Sequence, residues 1–232
     1  MTAVELCLAV PPESTYRIDQ LRDVLGDDES SRADRFRHDH DRHLYITAHA
    51  LTRLALSRRQ PTVDPADWTF VDGRWGRPHP TNPETGDLQV NLSHTRGMTA
   101  VVIADGIDVG VDVEWVRPDE WIYETVDTVF APAEVESLLP LAEADQRERF
   151  FLYWTLKEAY IKARGMGVSL PLTEISFART TDDEVHLDLG ATVEDDASEW
   201  RFERFQPAPD VRGAVAARTD HIDLEVAWPS VA

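Results

Sequence analysis

A single cysteine, two lysines and no apolar run near the length of a membrane span set the first limits on this 232-residue chain. Cys7 alone cannot close an intramolecular disulfide and has no thiolate partner for a zinc site, which suits a reducing compartment. A spanning helix needs roughly 20 consecutive apolar residues, and no such run occurs. The opening "MTAVELCLAVPPE" also lacks the basic and long apolar regions of a secretion signal. The expectation is a cytoplasmic protein with no membrane partner. Basic charge is scarce as well: 23 Lys and Arg face 43 Asp and Glu, a net charge of -20. DNA, RNA and membrane surfaces are anionic and are repelled by such an excess, so nucleic acid is not an expected partner. Any anionic ligand must be met by a local basic pocket.

What is present is enough for a packed core, with 42% hydrophobic and 9% aromatic residues. The basic residues divide into 21 Arg and 2 Lys. Together with the acidity, this skew resembles the composition of proteins from high-salt cytoplasms, and a high-GC coding bias produces the same skew. Both lysines, Lys157 and Lys162, fall in one segment, "FFLYWTLKEAYIKARGMG". A compact ammonium is not interchangeable with the planar guanidinium used everywhere else, so at least one of these lysines is expected to have a specific task.

Periodicity predicts a strand over residues 4–10, a short helix through Leu25, and a longer helix from Ser30 or Ser31 to near Arg59. Strands follow at 68–71, 88–94, 99–105 and 107–116. The second half repeats that order: helical stretches over 119–139 and 145–164, then strands near 174–178, 185–189, 199–205, 211–217 and 222–228. Helices followed by antiparallel strands, twice, predict an α+β fold of two similar lobes, 1–106 and 107–232.

The chemistry is concentrated in the second half. Asp112 and Glu114 sit two apart in "GVDVEW", so a strand points both carboxylates to one face and Val111, Val113 and Trp115 to the other. Two adjacent acids repel one another unless a cation lies between them. A hard oxygen-seeking ion such as Mg²⁺ suits them better than zinc, because no thiol or histidine cluster accompanies them. A solvated acidic strand face is the plainer alternative. The 150–164 segment is apolar on every side, as a buried helix is, yet it carries Glu158 and Lys162 one turn apart on one side. Buried ionic groups must be paired or bind something; an ordinary surface salt bridge is the competing reading. Lys157 lies about 100° round the helix from Glu158. Three carboxylates and an ammonium together describe a metal-assisted phosphate site, with phosphoryl-type transfer as the reaction. Upstream, Ser93 and His94 in "NLSHTRG" and Arg77 in the stiff "WGRPHP" loop are further candidates for phosphate contact, each weak alone.

At this point the motifs are those of a known family. "GVDVEW" followed by "FFLYWTLKEAYIKARGMG" resembles the 4'-phosphopantetheinyl transferases of the surfactin-synthetase-activating type. The likeness spans roughly residues 28–178 and includes "RFRHDHDRHLYITAHALTR", the "GRP" loop and "NLSH" in family order. It implies two lobes related by a pseudo-twofold axis, each with antiparallel strands on a long helix, and coenzyme A between them. The implied reaction is Mg²⁺-dependent transfer of the phosphopantetheine arm to a serine of an acyl, peptidyl or polyketide carrier protein, releasing 3',5'-ADP. By resemblance, Asp112, Glu114 and Glu158 hold the metal, Lys162 contacts the departing phosphate, and Glu158 or a water takes the serine proton. Gly76, Arg77 and Pro78 look like the adenine-side loop; Ser93, His94 and Arg32 look like phosphate contacts, and Arg53 occupies a recurrent basic position of open role. Glu29 stands about where some relatives carry a lysine for the 3'-phosphate, which predicts weaker selection for that group.

Two rival functions remain at this level. A metal-dependent phosphodiesterase or nuclease uses similar groups, although the chain lacks a basic stripe. A non-catalytic carrier-binding module would be expected to have lost a carboxylate or lysine, and none is missing. Internal pseudo-symmetry makes a monomer sufficient.

Overall fold

In the computed structural model the described residues are 3–11, 15–73, 78–117, 122–182 and 184–227. The first half runs β1 (Ala3–Ala9), α1 (Thr15–Arg22), α2 (Asp27–Ala33), α3 (Asp39–Arg59), a hairpin of β2 (Phe70–Asp72) and β3 (Pro78–Pro80), then β4 (Leu88–Thr95) and β5 (Met98–Asp105). The second runs β6 (Val109–Trp115), α4 (Ile122–Val129), α5 (Pro132–Leu138), α6 (Glu143–Arg164), a small pair of β7 (Ile175–Ser176) and β8 (Asp188–Leu189), β9 (Trp200–Ala208), β10 (Val211–Arg218) and β11 (Asp223–Ala227). The fold is mixed α+β, as expected.

Two of the expected helices are divided. The stretch from Ser30 to Arg59 breaks between α2 and α3, where Phe36 packs its ring 5.2 Å from that of Tyr45 and its carbonyl accepts from Arg42 at 2.9 Å. Those contacts turn the chain back on itself, and a continuous helix would lose them. The stretch over 119–139 begins partly outside the described residues and breaks at Ala131, which is extended ahead of Pro132. A proline has no N–H for the preceding turn and disfavours a helical residue before it.

The strands form a sheet ordered β11-β1-β5-β4 and a second ordered β6-β10-β9. Pairing is antiparallel except for β1 with β11, which run parallel from Ala3 opposite Asp223 to Cys7 opposite Ala227. The last strand of the chain therefore completes the sheet begun by the first. β5 is apolar at nearly every position because both its faces are covered. Ala100, Val102 and Ala104 meet Val111, Val113 and Val215 of the second sheet, while Val101 and Ile103 meet Leu51, Ala55 and Leu56 of α3. On the far side α6 lies on the second sheet, with Leu156, Ala159 and Ala163 against Ala214 and Ala216. The layers run α3, first sheet, second sheet, α6.

The sheets meet along a side-chain seam. Asn91 and Thr95 of β4 accept from the backbone N–H groups of Val111 and Trp115 of β6 at 2.9 and 3.0 Å, and Ser93 accepts from Val113 at 3.4 Å. Three polar residues at alternate positions on one strand thus replace the ladder that backbone carbonyls would otherwise make. The partners are offset by the same 20 positions in each case. That constancy sets the register of β4 against β6.

Candidate active site

Because β4 and β6 are held in register, Ser93 faces Asp112. The serine hydroxyl donates to Asp112 Oδ1 at 3.0 Å, and Lys162 of α6 donates to that same oxygen at 2.6 Å and to Ser93 Oγ at 3.0 Å. Three elements supply one atom each to this contact. Lys162 therefore turns to the strands, not to Glu158 one turn back on its own helix, so the surface salt-bridge alternative does not describe it. Asp112 is 3% exposed, and its other oxygen, Oδ2, is buried with no hydrogen-bond partner. A buried carboxylate oxygen without a partner costs free energy unless a ligand satisfies it.

Glu114 lies two residues along, on the same face of β6, where Trp154 Nε1 donates to its Oε1 at 3.1 Å. Burial, then the negative charge of Asp112, pushes the Glu114 carboxyl up to about 7. Glu158 is half-buried and is raised for the same two reasons, burial first and Asp112 second, with Lys162 acting in the opposite direction. Asp112 penalises the charge of both Glu114 and Glu158, and these acids beside its orphaned oxygen have the chemistry of a cation site. Among the described residues no three acidic, histidine or cysteine side chains are already gathered into a metal cage.

The other lysine has a different task. Lys157 is 1% exposed, donates to the Leu172 carbonyl at 2.8 Å and to the Ile175 carbonyl, and pairs with Glu134 at 2.8 Å. Glu134 is fully buried and also accepts from the N–H groups of Ala131 and Phe177, each at 2.8 Å. Burial, partly countered by the partner's charge, lowers the Lys157 pKa and raises that of Glu134. This knot ties α5, α6 and the 172–177 segment together behind the helix face that carries Glu158 and Lys162.

β4 also serves a second space. Its alternation points Ser93 to the reactive cluster and Leu92 toward α3, where a cavity of about 550 Å³ is lined by Glu29, Arg32, His49, Arg53, Phe70 and Pro78 among others. Loss of hydration, then the charges of Lys162 and His49, hold the His94 imidazole on β4 below its ordinary pKa. Arg53 is 3% exposed, with its guanidinium on Glu29 at 2.7 Å, on the Pro65 carbonyl at 2.9 Å, and over the Phe70 ring. Glu29 also accepts from the Gly26 N–H at 3.0 Å and meets His49 Nδ1 at 2.9 Å. Burial alone would raise the Glu29 pKa, but those hydrogen bonds and the Arg53 charge bring it below the usual carboxylate value. Arg32 is exposed and lies over the Tyr45 ring, 5.7 Å from its centroid. Gly76 and Arg77 lie outside the described residues.

Sequence reasoning passed over His49, Asn91 and Thr95. The polar alternation 91, 93, 95 on a strand otherwise buried was one available signal. The helical spacing of Tyr45, His49 and Arg53 was another, since residues four apart share a face.

A family model for the 4'-phosphopantetheinyl transferase superfamily matches residues 108–218, which carry the acidic strand and α6. The 4'-phosphopantetheinyl transferase Sfp of Bacillus subtilis is 27% identical over 206 residues, 89% of this chain and 88% of that one. The 4'-phosphopantetheinyl transferase HetI of a Nostoc species is 30% identical over 207 residues, 88% of this chain and 82% of its own. A solved holo-acyl-carrier-protein synthase of Thermotoga maritima covers 50% of this chain and 65% of its own at a TM-score of 0.39 and 19% identity, a likeness too slight to add weight. The identity to HetI runs through both halves and well beyond the acidic motif, so this chain belongs to the 4'-phosphopantetheinyl transferase superfamily.

Proposed function

We propose that this protein is a holo-carrier-protein synthase that moves the 4'-phosphopantetheine arm of coenzyme A to a serine of an acyl, peptidyl or polyketide carrier protein. The observation that carries this reading is the Ser93–Asp112–Lys162 cluster, with one buried Asp112 oxygen left unsatisfied at its centre. In the reaction the carrier serine oxygen forms a bond to the phosphorus that bears pantetheine. The bond from that phosphorus to the other phosphate of the diphosphate breaks, 3',5'-ADP departs, and the serine proton passes to a base.

Asp112, Glu114 and Glu158 would hold Mg²⁺, and the orphaned oxygen with its two acidic neighbours fits that ion. Mg²⁺ is usually bound through one or two carboxylates plus substrate phosphates, without a complete protein cage, so a preassembled triad is not required. When bound, the ion neutralises charge on the diphosphate. Lys162 places a fixed ammonium beside the departing phosphate, where preorganised charge is most effective. Ser93 keeps that ammonium in place. Glu158, or a water beside it, takes the serine proton.

A division at residue 106 would put β4 in one lobe and β6 and α6 in the other, with β11 crossing back to complete the first sheet. One copy of the chain contains both sides, so a monomer suffices. Among the described residues no helix is long and apolar enough to cross a membrane. A reducing cytoplasm agrees with Cys7, whose thiol is buried and raised to about 12 by loss of hydration and the neighbouring Glu5.

Chromatographic detection of 3',5'-ADP from coenzyme A tests the proposal. Release should require an apo carrier protein and cease when its acceptor serine is changed to alanine. Release without a carrier, or cleavage of nucleic acid in its place, would support the phosphodiesterase reading.

A further inference from the structure

The surface beneath the end of α6 is smooth. Gly110 of β6 and Ala214 and Ala216 of β10 lie under Ala159 and Ala163, so small residues meet small residues. Such packing fixes how close the helix comes to the sheet and does little to fix how far it turns. The stop is polar. Asp195, in the loop before β9, has a side chain only 1% exposed, and five donors converge on it. Its Oδ2 accepts from the Tyr160 hydroxyl and from Arg164 Nη1, both at 2.6 Å, and from Trp200 Nε1 at 2.9 Å. Its Oδ1 accepts from Arg218 of β10 and from the Asp196 N–H at 2.9 Å. Burial alone would raise the Asp195 pKa, but the hydrogen bonds from Tyr160 and Asp196, then the charges of Arg164 and Arg218, bring it below the usual carboxylate value. A buried carboxylate satisfied on both oxygens is a rigid point of attachment.

Tyr160 and Arg164 lie one turn apart on α6, and Lys162 falls between them, about 200° round the helix axis from each. The attachment therefore grips the back of the turn whose front carries the ammonium. A rotation of about 10° would move that ammonium, about 8 Å from the axis, by about 1.4 Å. That is enough to break its 2.6 Å contact with Asp112. The Lys157–Glu134 pair holds α6 earlier along its length and leaves the last turn to Asp195. Resting on the transferase reading, we propose that Asp195 is a positioning residue for the transfer: through Tyr160 and Arg164 it sets the rotation of the last turn of α6, and so places the Lys162 ammonium between Asp112 and the departing phosphate.

The test is a double-mutant cycle in the intact protein, read by carrier modification. Asp195→Asn keeps the shape of the side chain and removes the charge that Arg164 and Arg218 share. It should lower kcat by about 10–10²-fold with KM for coenzyme A within about threefold, since a misplacement of about 1 Å at a reacting group costs about 10²-fold. In a Lys162→Ala background the same substitution should change kcat by less than about twofold, because the group being positioned is gone. Equal losses in both backgrounds are what a purely structural role requires and would overturn the proposal, as would a wild-type kcat for Asp195→Asn. If Asp195→Asn does not fold, Arg164→Gln carries the same cycle, since it removes the charged link from α6 and leaves Asp195 with Arg218, Tyr160 and Trp200. Amide hydrogen exchange needs no turnover: Asp195→Asn should speed exchange at residues 161–164 by at least about tenfold relative to those near Lys157, and unchanged exchange would also overturn the proposal. If exchange responds but the wild-type protein modifies no carrier, the attachment stands and the transferase reading fails.

Discussion

Gly110 stands where β6 passes closest to α6, and its replacement by alanine gives a prediction with a calculable size. A Cβ at this position would lie 2.2 Å from the Ala159 carbonyl oxygen and 2.4 Å from the Ala163 nitrogen. Both are helix backbone atoms, so no side-chain rotation relieves the clash. Carbon–oxygen contacts settle at about 3.3 Å or more, so the helix must retreat by about 1 Å. α6 carries Glu158 and Lys162, and the Lys162–Asp112 contact across this interface is 2.6 Å. A misplacement of about 1 Å at reacting groups costs about 10²-fold in rate. Overpacking of this kind costs about 1–3 kcal/mol, and at this chain length each kcal/mol lowers the melting midpoint by about 2–4 °C. Thermal unfolding and carrier modification by the Gly110→Ala variant measure the two effects. A variant that melts within about one degree of the parent and modifies carrier at the parent's rate refutes the reasoning.

Four further outcomes are expected. Lys162→Ala should lower the rate of carrier modification by about 10²–10³-fold, since it removes a charge aimed at the departing phosphate; near-normal turnover would remove Lys162 from the chemistry. Lys157→Met leaves Glu134 buried without its cation and should cost about 3–5 kcal/mol in urea unfolding, most of it recovered by the Lys157→Met, Glu134→Leu double variant. Glu114 is raised from 4.5 to about 7 in the folded protein, so the folded state keeps a proton that the unfolded chain has already released. Metal-free stability should therefore fall as pH rises through that window and recover on adding Mg²⁺; a flat profile would contradict the burial of this carboxylate. With a net charge of -20, docking to an acidic carrier should hold or improve from low to molar KCl, where the Debye length shrinks to about 3 Å, and a steep loss with salt would point to attractive steering.

Local pattern made some of this legible and long-range contact decided the rest. The alternation of "GVDVEW" placed Asp112 and Glu114 on one face of β6, and the all-round apolar character of α6 marked it as buried. The scarcity of lysine drew attention to Lys157 and Lys162, but it could not tell them apart. Lys157 meets Glu134 from another helix, and Lys162 meets Asp112 from a strand 50 residues away. Arg53 carried a basic label in the sequence, and only the folded arrangement of α2 against α3 puts its charge on Glu29. The split of the 30–59 helix and the return of β11 to β1 follow from packing partners distant in the chain. The spacing of Tyr45, His49 and Arg53 put His49 on one helix face, but its partner is a carboxylate 20 positions earlier that only the fold brings to it.

The most direct test of the central claim is the intact mass of an apo carrier protein after incubation with this protein and coenzyme A, with Mg²⁺ and separately with a chelator. The account predicts a gain of about 340 Da on the acceptor serine, the mass of the phosphopantetheine arm, with Mg²⁺ alone, and none for Asp112→Asn. An unchanged carrier mass in the presence of Mg²⁺, or the same gain from Asp112→Asn, would contradict it.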